Sequence, residues 1–205
     1  MKIDYDPTTD PGTPYEELRD EVRTGDILLC SGKPLGSRLV RWFTRSKWSH
    51  VGVVVVLPEI ESVCVMEAVT GGVRMIPLSH YVKGRGKYKG DLVIARHKES
   101  SALVRSGITG DAYAREWVGA VRWGVAQLGK PYNFGQIMKI AHRITWGRMR
   151  KRAPVDTNRD EYICSEFVDC FFRSAGIWLD YNERGFTAPD DIARDRDVNL
   201  VAKIA

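Results

Sequence analysis

Residues 50–69 read His50-Val-Gly-Val-Val-Val-Val-Leu-Pro-Glu-Ile-Glu-Ser-Val-Cys-Val-Met-Glu-Ala-Val69. The run His50–Leu57 is β-branched almost throughout, which marks a buried strand. Residues 58–61 carry the turn, and Ser62–Val69 returns as a second apolar strand. A turn centred between Glu59 and Ile60 sets Gly52 opposite Glu67. His50 and Glu67 then share a face as a diagonal pair, with Cβ atoms roughly 7 Å apart. Glycine leaves nothing between them. A slip of one residue would turn them to opposite faces. A carboxylate in an otherwise apolar strand needs a partner, and the histidine is one. The plain alternative is an exposed glutamate on an edge strand.

Outward from this hairpin, Thr24-Gly-Asp26 turns into the apolar strand Ile27–Cys30. Thr70-Gly-Gly72 turns into a third hairpin strand over 73–77, and 91–96 reads as a further strand. This half is predicted to be an antiparallel meander. Pro14 and the acids after it open a short helix over 14–22. Residues 1–13 are polar and read as a mobile arm, leaving 14–205 as one domain. A short helix is expected over 39–44.

The second half is helical. Asp111 can cap a helix to about residue 128, with Ala114, Trp117, Val118, Val121, Val125 and Leu128 at helical spacing. Gly129 ends it and Pro131 prevents its resumption. Asn133 can cap another helix over 133–146. A basic run follows at Arg148, Arg150, Lys151 and Arg152. A helix starting near Cys164 ends at Gly176, a helical turn covers 189–193, and Val198–Ile204 is a weak closing strand. The fold class is α+β, with helices grouped against an antiparallel sheet.

Hydrophobic content of 43% and charged content of 28% are ordinary for a globular domain. The longest apolar run, 51–57, is too short to span a bilayer. The N-terminus has no apolar export segment, so a cytoplasmic location with reduced thiols is expected. The charge of +5 permits an anionic partner without requiring one. The cysteines, Cys30, Cys64, Cys164 and Cys170, show no metal-binding spacing, so no metal or cofactor is expected.

Cys164 stands at the head of its helix, where free N–H groups and the dipole favour a thiolate and can stabilise an oxyanion. Cys170 lies mid-helix and reads as a small buried hydrophobe, as do Cys30 and Cys64 in their strands. Taken alone, Cys164 too reads more readily as packing than as chemistry. A base shifts that balance. His50 opens the strongest strand, at a sheet rim where a rigid scaffold can present a catalytic group.

These pieces together resemble a known family. Thr24-Gly-Asp-Ile27, Ser49-His-Val-Gly52, Met66-Glu67-Ala68, Ile163-Cys-Ser-Glu-Phe-Val168 and Ala188-Pro-Asp-Asp-Ile192 look like the YiiX-like branch of permuted NlpC-type papain-fold proteins. The resemblance covers roughly residues 14–195. It implies a circularly permuted papain-like fold, in the order His, Glu, Cys, because a triad is defined by geometry and not by chain order. It implies Cys164 as nucleophile, His50 as base and Glu67 as orienting carboxylate. Gly129-Lys-Pro-Tyr-Asn-Phe134 is similar to a segment near the family's nucleophile, which makes Tyr132 an expected substrate contact. Ser49 and Ser165, beside the histidine and the cysteine, are expected to join it. The implied activity is cysteine-dependent hydrolysis of an amide bond, peptide or isopeptide, as in cell-wall peptides. The same triad would serve a lipid-acting thioesterase, acyltransferase or phospholipase. A reading of another class is a non-catalytic module binding a polyanion or anionic surface through Arg148, Arg150, Lys151 and Arg152.

Overall fold

The computed structural model describes residues 11–32, 47–83, 88–98, 111–135, 160–179 and 187–205, with only the backbone path given for 111–116. The helix expected over 39–44, most of that over 133–146 and the four basic residues at 148–152 lie outside the described residues.

Six strands form one sheet in the order β4-β3-β2-β1-β5-β6, every neighbouring pair antiparallel. They are β1 (Ile27–Cys30), β2 (His50–Leu57), β3 (Ser62–Val69), β4 (Gly72–Pro77), β5 (Leu92–His97) and β6 (Val198–Ile204). The first four run as the expected meander. The next strand departs from it: β5 crosses over to pair with β1 instead of β4. The cause is visible in β1, whose four residues are all fully buried. A strand apolar on both faces must be central, so its free edge needs covering.

Alternate residues of the strands feed two cores. On one face, Ile27, Val53, Met66 and Val93 meet α3 (Asp111–Ala126) and α4 (Cys164–Ser174). On the other, Leu28, Val54, Val65 and Ile94 meet α1 (Tyr15–Leu18) and α2 (Ser79–Val82). The helix expected over 14–22 is thus only one turn long, and Arg96 takes the Glu21 carbonyl just beyond it. Of the expected arm, residues 1–10 lie outside the described residues. Its last residue, Thr13, pairs its backbone with Lys203 and Ala205 beside β6.

The turn before β1 is fitted to its surroundings. Gly25 has φ +88°, and a Cβ there would lie 2.2 Å from the Trp117 ring of α3. The neighbouring Asp26 is fully buried and accepts from Arg96 of β5 at 2.6 and 2.7 Å. The Gly-Asp-Ile stretch therefore serves the joint between β1, β5 and α3.

The buried stripe of α3 differs from the expected one. Of the expected positions Trp117 is buried and Val121 packs against the core, but Val118, Val125 and Leu128 are exposed, and Ala120 and Gly124 complete the inward face. The small residues decide this. A Cβ on Gly124 would sit 2.8 Å from the Met66 sulfur, so the helix lies too close for larger side chains. Helix α5 (Pro189–Arg194) follows α4, its start tied by Ala188 N–H donating to the Asp191 carboxylate at 2.8 Å.

Candidate active site

The β2–β3 register follows the hairpin expectation, with Val53 opposite Met66 and Leu57 opposite Ser62. Continued by one pair, it sets Gly52 beside Glu67. A Cβ on Gly52 would lie 2.6 Å from Val65 and 3.4 Å from the Glu67 Cβ. No other residue leaves that passage open. Across it, His50 Nε2 meets Glu67 Oε2 at 2.5 Å.

Glu67 is wholly buried and has further partners. Arg74, directly opposite on β4, brings Nε to 2.9 Å and Nη2 to 2.8 Å from Oε1. The Tyr81 hydroxyl of α2 donates to Oε2. Burial opposes the charge of Glu67, but the bonds and charges of His50, Tyr81 and Arg74 win, and its pKa is lowered to about 2.

The His50 side chain is 18% exposed and reaches two groups. Burial works against the imidazolium. Hydrogen bonds donated to Cys164 and Glu67, with their charges, outweigh it and raise the His50 pKa to about 10. With Nε2 on Glu67, Nδ1 is left for the sulfur. The ring thus bridges the helix face of the sheet, where Cys164 belongs to the core, and the opposite face, where Tyr81 does.

Cys164 is the first residue of α4. Ile163 is in extended conformation before it, and no side chain caps the helix. The first-turn N–H groups therefore lie beside the sulfur without a competing cap. Residues leading into this point are tied to the Pro131-Tyr132 segment. Tyr162 N–H donates to the Pro131 carbonyl at 3.2 Å, and Asn133 N–H to the Tyr162 carbonyl at 3.0 Å. That short ladder carries Tyr132 to Cys164, and the two side chains are hydrogen-bonded. Burial first, then Cys164 and Glu166, push the Tyr132 phenol well above its usual range, so it keeps its proton as a donor.

The other expected contacts point elsewhere. Ser49 Oγ donates to the Cys30 carbonyl at 3.2 Å. Ser165 Oγ donates to the Thr187 carbonyl at 2.5 Å and ties α4 to the start of α5. Both serines are buried. Cys30, Cys64 and Cys170 are buried and form no disulfide. Burial, reinforced by Glu67 and Cys164, pushes the Cys30 thiol well up.

Sequence reasoning missed Arg74 and Tyr81. Arg74 was within reach, since the Thr70-Gly-Gly72 turn sets it opposite Glu67 by the rule that set Gly52 there. Tyr81 stands in a region with no readable periodicity.

Among the described residues, one group combines metal-ligating side chains: His97, Asp195 and Asp197, whose ligand atoms lie within 4.8 Å of one another. It stands at the far end of β5 from Leu92, the residue beside Cys30 and hence at the His50 end. Asp197 is also ion-paired with Lys98 at 2.6 Å.

Comparison with known proteins decides the family. Residues 21–185 match the family described as permuted papain-like amidase enzyme, YaeF/YiiX, C92 family. The chain belongs to this family of permuted papain-like amidases. It is thereby an enzyme, a cysteine-type hydrolase, and the reading as a non-catalytic module gives way. A solved structure of the metalloprotein YiiX from Escherichia coli O157:H7 has the same fold, with a TM-score of 0.60 at 20% identity over 88% of this chain and 97% of that one. Among curated proteins, none matches the sequence. No helix among the described residues is long and apolar enough to cross a membrane.

Proposed function

We propose that this C92-family amidase cleaves an amide bond, peptide or isopeptide, through an acyl-enzyme on Cys164, with His50 as base and Glu67 as its orienting carboxylate. The observation that carries the reading is the single imidazole in contact with both the Cys164 sulfur and the Glu67 carboxylate.

His50 takes the thiol proton, and the sulfur attacks the carbonyl carbon. Charge builds on the carbonyl oxygen, where the Cys164 N–H and its helix-start neighbours are the available donors. The protonated Tyr132 hydroxyl is a further donor at the same place. His50 then gives its proton to the departing amine, leaving a thioester. A water, deprotonated by His50, attacks the thioester carbonyl, and the sulfur leaves as a thiolate beside the imidazolium, which keeps the proton taken from the water. Glu67 stays ionised throughout. Its role is to hold the ring and offset the imidazolium charge.

Activity-based profiling with matched peptidyl and lipid-like acyl electrophiles tests the reading. The expected label is on Cys164, is absent in Cys164→Ala, and favours the peptidyl series. Turnover that survives in Cys164→Ala overturns the mechanism. Preference for the lipid-like series overturns the choice of substrate.

A further inference from the structure

We propose that Arg74 and Tyr81 are positioning residues of this hydrolase: together they clamp the Glu67 carboxylate in one rotamer and so fix the orientation and charge of His50. The inference rests on the triad reading above.

The geometry accounts for each oxygen of the carboxylate. Oε1 receives both Arg74 nitrogens. Oε2 receives the Tyr81 hydroxyl and faces His50 Nε2. The donors come from different elements, β4 and α2, and bond different oxygens of a group that stands on β3. A carboxylate with one partner can rotate about its last bond. This one cannot rotate without breaking bonds to two elements at once. A fully buried carboxylate also needs such partners to stay charged beside a histidine. Arg74 is 49% exposed, so its packing alone does not explain its place. Its guanidinium reaches inward from the edge of the sheet to the least exposed acid of the site.

Among the described residues, the groups facing His50 are few. Cys164 approaches from α4 and Glu67 from β3. Cys30 of β1 stands opposite in register and keeps its proton. Tyr132 acts through Cys164. Arg74 and Tyr81 act through Glu67.

Charge-preserving substitutions isolate the clamp. Tyr81→Phe removes one donor and no charge. Arg74→Lys keeps the charge and loses the planar pair of donors. In each, Glu67 is free to leave the Nε2 direction, so the imidazolium loses part of its support. NMR titration of the His50 ring, assigned with His50→Gln, is expected to show the midpoint falling by about one unit. For hydrolysis, kcat is expected to fall about 10- to 100-fold with KM little changed, as for a misplaced catalytic group. If His50 titrates identically in wild type and both variants, the clamp is refuted. The NMR readout needs no substrate. A shifted midpoint with no amide turnover, even in wild type, supports the clamp and refutes the amidase mechanism alone.

Discussion

At the scale of the residue, the question is what one imidazole does between a sulfur and a carboxylate. Its pKa of about 10 means that His50 keeps its proton through neutral pH and loses it only as pH rises through that value. In the proposed mechanism this imidazolium faces the Cys164 sulfur as its partner in an ion pair. Iodoacetamide should then alkylate Cys164 at pH 7 within about threefold of its rate at pH 9, whereas an unperturbed thiol would slow by more than about tenfold. Mass spectrometry of the labelled peptide, against Cys170 as the buried internal reference, measures this. A rate that rises only above about pH 8 sinks the ion pair. Arg74 and Tyr81 belong to this scale too. They show why a wholly buried glutamate can stand beside a histidine and remain charged.

At the scale of the element, what was legible in the chain depended on whether the signal was local. The β2–β3 hairpin could be read in full, because strand alternation and one turn fix every pairing. Its consequence, His50 diagonal to Glu67, followed from the register alone. The face of α3 could not be read this way. Spacing favoured Val118, Val125 and Leu128, yet Ala120 and Gly124 are the ones that face the core, because close approach to Met66 and Phe171 leaves no room for more. Small residues carry little hydrophobic signal of their own, so a periodicity built on large ones misses them. The glycine of the hairpin makes a test at this scale. In Gly52→Ala the new methyl meets Val65 at 2.6 Å and the Met66 carbonyl at 3.2 Å, and one strand must move. Such overpacking should cost about 1–3 kcal/mol in urea unfolding. Hydrolysis should fall further than stability, by roughly 100-fold, since the shift separates His50 from Glu67. Unchanged kcat/KM in a folded Gly52→Ala would show that the passage over residue 52 does not matter.

At the scale of the whole molecule, the site is a junction between regions distant in sequence. The rim of the sheet supplies the imidazole, the hairpin the carboxylate it meets and the α4 head the sulfur, while the β4 edge and α2 complete the shell around Glu67. The order of strands that makes this possible was only partly legible. Consecutive hairpins were, but the crossing of β5 to β1 depends on covering a central strand, which no local pattern encodes. Because the site joins both faces of the sheet, its ionisation should register in global stability. Glu67 is held at about 2, below its ordinary 4.5, so its contribution is present above about pH 4.5 and is lost as pH falls through about 2. His50 is held at about 10, above its ordinary 6.5, so its contribution is complete below about pH 6.5 and is lost as pH rises through about 10. Both are therefore fully present only between about pH 4.5 and 6.5. In that window Glu67→Gln should lower stability by about 1.5–3 kcal/mol, the range for a hydrogen bond to a charged group. Each kcal/mol corresponds to roughly 2–4 °C in Tm for a chain of this size. Calorimetry of wild type and Glu67→Gln across pH should show the Tm gap widest in the window and narrowing toward pH 10. A gap that stays constant from pH 5 to pH 10 would mean that the carboxylate stabilises the fold without sensing the charge on His50, and the buried ion pair would have to be abandoned.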